Sequence, residues 1–98
     1  MNDFVQALGV ALDGIPELDE ALALILKAKK RKARIFFIGN GGSAAIASHM
    51  AADYLKNGHM RATAFNDAAA ITCISNDLGY ENVFALQHKI HADPSDVL

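Results

Sequence analysis

Arg34-Ile35-Phe36-Phe37-Ile38-Gly39-Asn40-Gly41-Gly42-Ser43 is the stretch that decides the fold. Its first half, with Ala33 ahead of it, is a continuous β-favouring run over 33–38. It lacks the apolar–polar alternation of a strand with one wet face, and so suits a parallel strand covered on both sides. Its second half is a glycine turn, after which residues 43–56 read as a helix stopped by Asn57-Gly58. Strand, glycine turn and helix make half of a βαβ unit, so the expected class is α/β with a parallel, flavodoxin-like or Rossmann-like sheet.

Upstream, two helices precede the strand. Over 16–31, Leu18, Ala21, Leu22, Ile25 and Leu26 form an apolar stripe, and Pro16 suits the opening turn. Over 3–12, Phe4, Val5, Leu8, Ala11 and Leu12 share helical spacing until Asp13-Gly14 breaks it. Downstream, a short strand is expected over 62–65, with Asn66-Asp67 capping a helix over 68–74. Ser75 to Gly79 reads as a loop, 81–91 as a helix, and 96–98 as the first residues of a third strand. One firm strand, one short strand and one barely begun do not bury both faces of a parallel sheet. The expectation is the N-terminal part of a single domain, carried by a longer natural chain.

The 98 residues are 52% apolar with a formal charge of −2, which fits one globular unit. The strongest apolar run, Ile35 to Ile38, falls far short of the roughly 20 residues of a membrane span, and the N-terminus lacks the basic and apolar regions of a leader. No membrane is expected as partner. The basic residues between Lys27 and Arg34 follow Glu17, Asp19 and Glu20 along one helix, as the helix dipole favours. They lack aromatics to stack on bases, so no nucleic acid is expected either. Cys73, the single cysteine, reads as a small core hydrophobe, and a cytoplasmic location is expected.

In open α/β sheets ligands bind beyond the carboxyl ends of the strands, where a loop enters a helix. Gly39 to Ser43 holds that place, with Asn40 and Ser43 supplying side-chain hydrogen bonds and Ser43 a candidate N-cap. Gly39-x-Gly41-x-x-Ala44 also meets the loose dinucleotide pattern, but the nearest acidic partner, Asp67, comes too late, and no nucleotide is expected. His49 and Asp53, four apart, project from one helix face. Spacing leaves three uses open: two ligands of a divalent metal, a proton shuttle beside an imidazole, or a surface pair. Asn76-Asp77 is a further polar feature, while His59, His88 and His91 read as surface residues.

Taken together, Ile38-Gly39-Asn40-Gly41-Gly42-Ser43-Ala44, then His49 and Asp53, then Ser75-Asn76-Asp77-Leu78-Gly79-Tyr80-Glu81 with Val83-Phe84, resemble the phosphoheptose isomerase branch of the sugar isomerase (SIS) domain family. The likeness covers nearly the whole chain. It implies a three-layer SIS fold and interconversion of sedoheptulose 7-phosphate with D-glycero-D-manno-heptose 7-phosphate through an enediol. By resemblance, Asn40, Gly41, Gly42 and Ser43, with Asn76 and Asp77, contact a phosphorylated sugar. His49 and Asp53 are zinc ligands, and Asp53 is also the catalytic base and a substrate contact. The family has a glutamate where this chain has Asp53, and its acid histidine, glutamine ligand and serine-rich phosphate loop fall beyond Leu98. The resemblance also implies a homotetramer when full length, and it leaves room for non-catalytic phosphosugar- or partner-binding relatives.

Overall fold

The computed structural model describes residues 16–98; the helix expected over 3–12 lies outside them. Helix α1 runs Pro16–Lys30, with Glu17 and Asp19 in its first turn and Lys27, Lys29 and Lys30 in its last. Of its stripe, Ile25 packs with the buried Ala28 against Ala33, Ile35 and Met60. Leu18, Leu22, Leu24 and Leu26 stay exposed. The helix ends at Lys30, and two residues on Lys32, at φ 57°, makes a left-handed turn usually given to glycine. The bond from the Ala33 N–H to the Ala28 carbonyl, 2.9 Å, closes it.

Strand β1, Arg34–Phe37, pairs in parallel with β2, Arg61–Ala64, with Arg34 opposite Arg61 and Phe37 opposite Ala64. Helix α2, Gly42–Lys56, makes the crossover, and its buried Ala47 and Ala51 let the helix lie close to the strands. Side chains of β1 alternate between two covered faces, as the pleat requires. Ile35 and Phe37 meet α1 and Tyr54 of α2. Phe36 stacks on Phe65 at 4.9 Å and meets the His88 ring edge-on at 5.8 Å. His88 is therefore half-buried against the core rather than a surface residue, because Phe36 needs a cover on that face.

On the other flank of β1, Val97 forms a parallel bridge with Ile35, its carbonyl accepting from the Phe36 N–H at 2.8 Å and its own N–H donating to the Arg34 carbonyl at 3.0 Å. β1 is thus flanked by β2 on one side and by Val97 on the other. Beside Val97 opens an apolar groove of about 570 Å³, lined by Ala21, Leu24, Ile25, Ile38 and Leu98 among others. No helix among the described residues is long and apolar enough to cross a membrane.

Helix α3 differs from expectation. It runs Ala68–Leu78, four residues past 74, so that Ser75, Asn76 and Asp77 form its last turn and not a loop. Turn-forming side chains alone do not stop a helix whose carbonyls still find donors. The stop is Gly79, at φ 95°, whose N–H bonds to the Ser75 carbonyl at 3.2 Å. Cys73 lies on the outer face of this helix, exposed and not in the core. Asp67 caps the start, its carboxylate accepting from the Ala70 N–H at 3.0 Å. A 3₁₀ turn, Tyr80–Asn82, then leads into α4, Val83–His91, anchored by the fully buried Val83.

Candidate functional site

The glycine turn is tight because β1 runs almost into the helix that follows. A Cβ on Gly39 would lie 2.7 Å from the Ser43 carbonyl carbon and oxygen, so only glycine fits. Gly41 takes φ 56° and ψ −121°, open to glycine alone, and its carbonyl accepts from the Ala44 N–H at 3.0 Å. The helix therefore begins at Gly42 with Gly41 as its cap, one residue earlier than expected, and Ser43 is not the N-cap. No side chain caps this helix start. The Ser43 N–H donates to the Asn40 carbonyl at 2.9 Å and the Ala45 N–H to that of Gly41 at 3.2 Å, which leaves the Gly42 N–H without a partner among the described residues, and Asn40, Gly41, Gly42 and Ser43 are all exposed.

Two contacts hold the turn in place. The Nδ2 amide of Asn66, just past β2, donates to the Ala44 carbonyl at 2.8 Å and to Ser48 Oγ at 2.6 Å, tying the first turns of α2 to the end of the neighbouring strand. From the other side, the Tyr80 hydroxyl donates to Asn40 Oδ1 across forty residues of sequence. Spacing gives no signal for either contact. Asn76 and Asp77 stand two and one residues before Leu78, exposed, with Asn76 Nδ2 donating to Asp77 Oδ1 at 2.9 Å. Through Gly79 and Tyr80 the end of α3 is thereby joined to the glycine turn.

His49 and Asp53 lie farther along α2. His49 Nε2 is 3.2 Å from Asp53 Oδ2, and the side chains are 75% and 45% exposed, so the pair is open to solvent. Helical rise puts His49 about 9 Å and Asp53 about 15 Å beyond Ser43 along the axis. Asp53 borders a hollow of about 400 Å³ with Tyr54, Asn57, Met60, Ile25 and Lys29, at the opposite end of α2 from the turn. The structure brings His49 to Asp53, and Asn40 to Tyr80, but leaves the two pairs at different places along α2. Among the described residues no three metal-ligating side chains stand together, and the His49–Asp53 pair offers two donors to one ion. Asp67, the acid nearest the dinucleotide pattern, has its carboxylate engaged in capping α3.

No family model matches the chain. Among known proteins it is 41% identical over 87 residues to a phosphoheptose isomerase of Solidesulfovibrio magneticus, an alignment covering 83% of this chain and 43% of that protein. It is 37% identical over 100 residues to a phosphoheptose isomerase of Helicobacter pylori, covering 95% and 52% respectively. Among solved structures, phosphoheptose isomerase GmhA from Neisseria gonorrhoeae superposes with a TM-score of 0.78 at 31% identity, covering 98% of this chain and 53% of that one. The chain spans about half the length of the curated relatives it matches.

Proposed function

We propose, from the chain's membership in the phosphoheptose isomerase branch of the SIS-domain family, that the intact protein interconverts sedoheptulose 7-phosphate and D-glycero-D-manno-heptose 7-phosphate. The observation carrying this reading is the placement, on one strand–turn–helix unit, of an uncapped glycine turn and an exposed imidazole–carboxylate pair 3.2 Å apart. Aldose–ketose isomerisation moves a proton between adjacent carbons through an enediol, and so needs a base at carbon and donors at oxygen. Asp53 is the base in this reading, taking the proton from the carbon next to the carbonyl and returning it to the neighbour. Asn40, the open Gly42 N–H at the start of α2, the Ser43 hydroxyl, and Asn76 and Asp77 hold the sugar's oxygens in this reading.

His49 and Asp53 also suit a zinc ion, as two of the four donors of a tetrahedral site whose remaining donors lie outside the described residues. Bound there, zinc would polarise the substrate's oxygen. A homotetramer is part of the proposal, supported by the exposed leucines of α1. So is a cytoplasmic location, supported by the absence of a membrane-length apolar helix among the described residues and by a single, unpaired cysteine.

Titration of the intact protein with sedoheptulose 7-phosphate, and separately with NAD, tests the reading. Saturable binding and turnover of the sugar phosphate are expected. Binding of NAD alone overturns the assignment. Sugar-phosphate binding without turnover replaces it with a non-catalytic phosphosugar-binding role, a reading for which Asp53 in the position of the family's glutamate leaves room.

A further inference from the structure

We propose that Tyr80 is a positioning residue that holds the Asn40 side chain in place at the glycine turn; the inference rests on the functional reading above. An exposed asparagine otherwise samples several rotamers, and ordering it when a ligand binds costs free energy. The Tyr80 hydroxyl bonds the Asn40 amide at Oδ1 and orders it before the ligand arrives, and Nδ2 has no partner among the described residues, so it is free to donate to an oxygen of the sugar phosphate.

The geometry around Tyr80 suits this role better than a purely structural one. Its side chain is 53% exposed, so the ring contributes little to the core. Its direction is set by the backbone before it. Gly79 adopts φ 95°, a backbone angle that side chains rarely take, so any other residue in the turn leading into Tyr80 is strained. The same turn is where α3 stops, directly after Asn76 and Asp77. Tyr80 is thus the element through which that helix end and the glycine turn are kept in register.

Tyr80→Phe removes the hydroxyl and keeps the ring. In the intact protein, with unchanged thermal melting as the check on folding, it is expected to weaken sedoheptulose 7-phosphate binding about tenfold, with KM rising and kcat nearly unchanged, because Asn40 grips a part of the sugar remote from the transferred proton. In an Asn40→Ala background the same substitution is expected to add nothing, since there is no amide left to orient. The side-chain amide resonances of Asn40 in ligand-free protein are expected to shift in Tyr80→Phe. An unshifted amide, or an equal loss of affinity in the Asn40→Ala background, overturns the positioning role whatever the ligand. A shifted amide in a protein that binds no sugar phosphate even as wild type overturns the functional reading, and with it the ligand assigned to Asn40.

Discussion

Asp96 places one carboxylate oxygen 2.7 Å from the backbone N–H of Arg34 and the other 3.2 Å from the Arg34 guanidinium, across the gap between the C-terminal segment and β1. A second backbone donor, the Asp93 N–H, reaches it at 2.8 Å, and the Asp96 side chain is only 3% exposed. Arg34 meanwhile bonds Asp93 at 2.6 Å, and Arg31 donates to the Ser95 carbonyl. Burial alone would raise the Asp96 pKa; the backbone N–H groups of Asp93 and Arg34 and the Arg34 charge outweigh it and hold the carboxyl below its ordinary value. A carboxylate with a lowered folded pKa contributes stability that is present above the unfolded value and lost as pH falls through the folded one. Stability in urea is therefore expected to decline as pH drops below about 4. Asp96→Ala is expected to cost about 1–3 kcal/mol at neutral pH and to flatten that decline. A variant with the wild-type pH profile would remove Asp96 as its source.

Gly39 and Gly42 are expected to respond in opposite ways. Gly39→Ala drives a methyl into the Ser43 backbone, where it has no room, and should cost about 1–3 kcal/mol in denaturant melts. Nothing lies within 4 Å of a Cβ on Gly42. Gly42→Ala should keep or slightly raise stability, while in the proposed isomerase the added methyl, beside the open Gly42 N–H, should reduce sugar-phosphate affinity in titration.

Asn66 is the joint between β2 and α2. Asn66→Ala removes both of its bonds and is expected to destabilise the protein by about 1–3 kcal/mol. Asn66→Asp should cost more, since it sets a negative oxygen against the Ala44 carbonyl where a donor stood. Comparison of the two urea midpoints checks the order.

Asp53 is one methylene shorter than the glutamate that the family resemblance implies at this position. A misplacement of about 1 Å in a proton-transfer group costs about a hundredfold in rate. In the proposed isomerase, Asp53→Glu is expected to raise kcat, by up to about that factor, while Asp53→Asn should abolish turnover. Steady-state kinetics of the intact protein decide this, and His49→Ala measured beside them should lower zinc content by metal analysis.

The strand–turn–helix unit is legible in the sequence because its signals are local: an apolar run, glycines that permit a sharp turn, and a helix ended by Asn57-Gly58. The closeness of His49 to Asp53 follows from a spacing of four on any helix. Where α3 stops is less legible, because Ser75, Asn76 and Asp77 serve a last helical turn as well as a loop, and the decision rests on the backbone angle of Gly79. The exposure of Cys73 depends instead on which face of α3 meets the rest of the fold, which its apolar neighbours in sequence do not reveal. Least legible are contacts between residues far apart in the chain, such as Tyr80 with Asn40 or Asp96 with Arg34. They depend on how the elements stack, which periodicity does not encode. Lys32 and His59 show the same limit, since both take left-handed backbone without being glycine.

The crowding of Gly39 against Ser43 bears on how an incoming molecule is met. Glycine lets backbone meet backbone there, and with Asn66 and Tyr80 bonded to the corner from two sides its shape is set before any molecule arrives. Little ordering entropy is then spent on capture, and in the proposed isomerase discrimination between sugars comes from how well each matches a preformed rim.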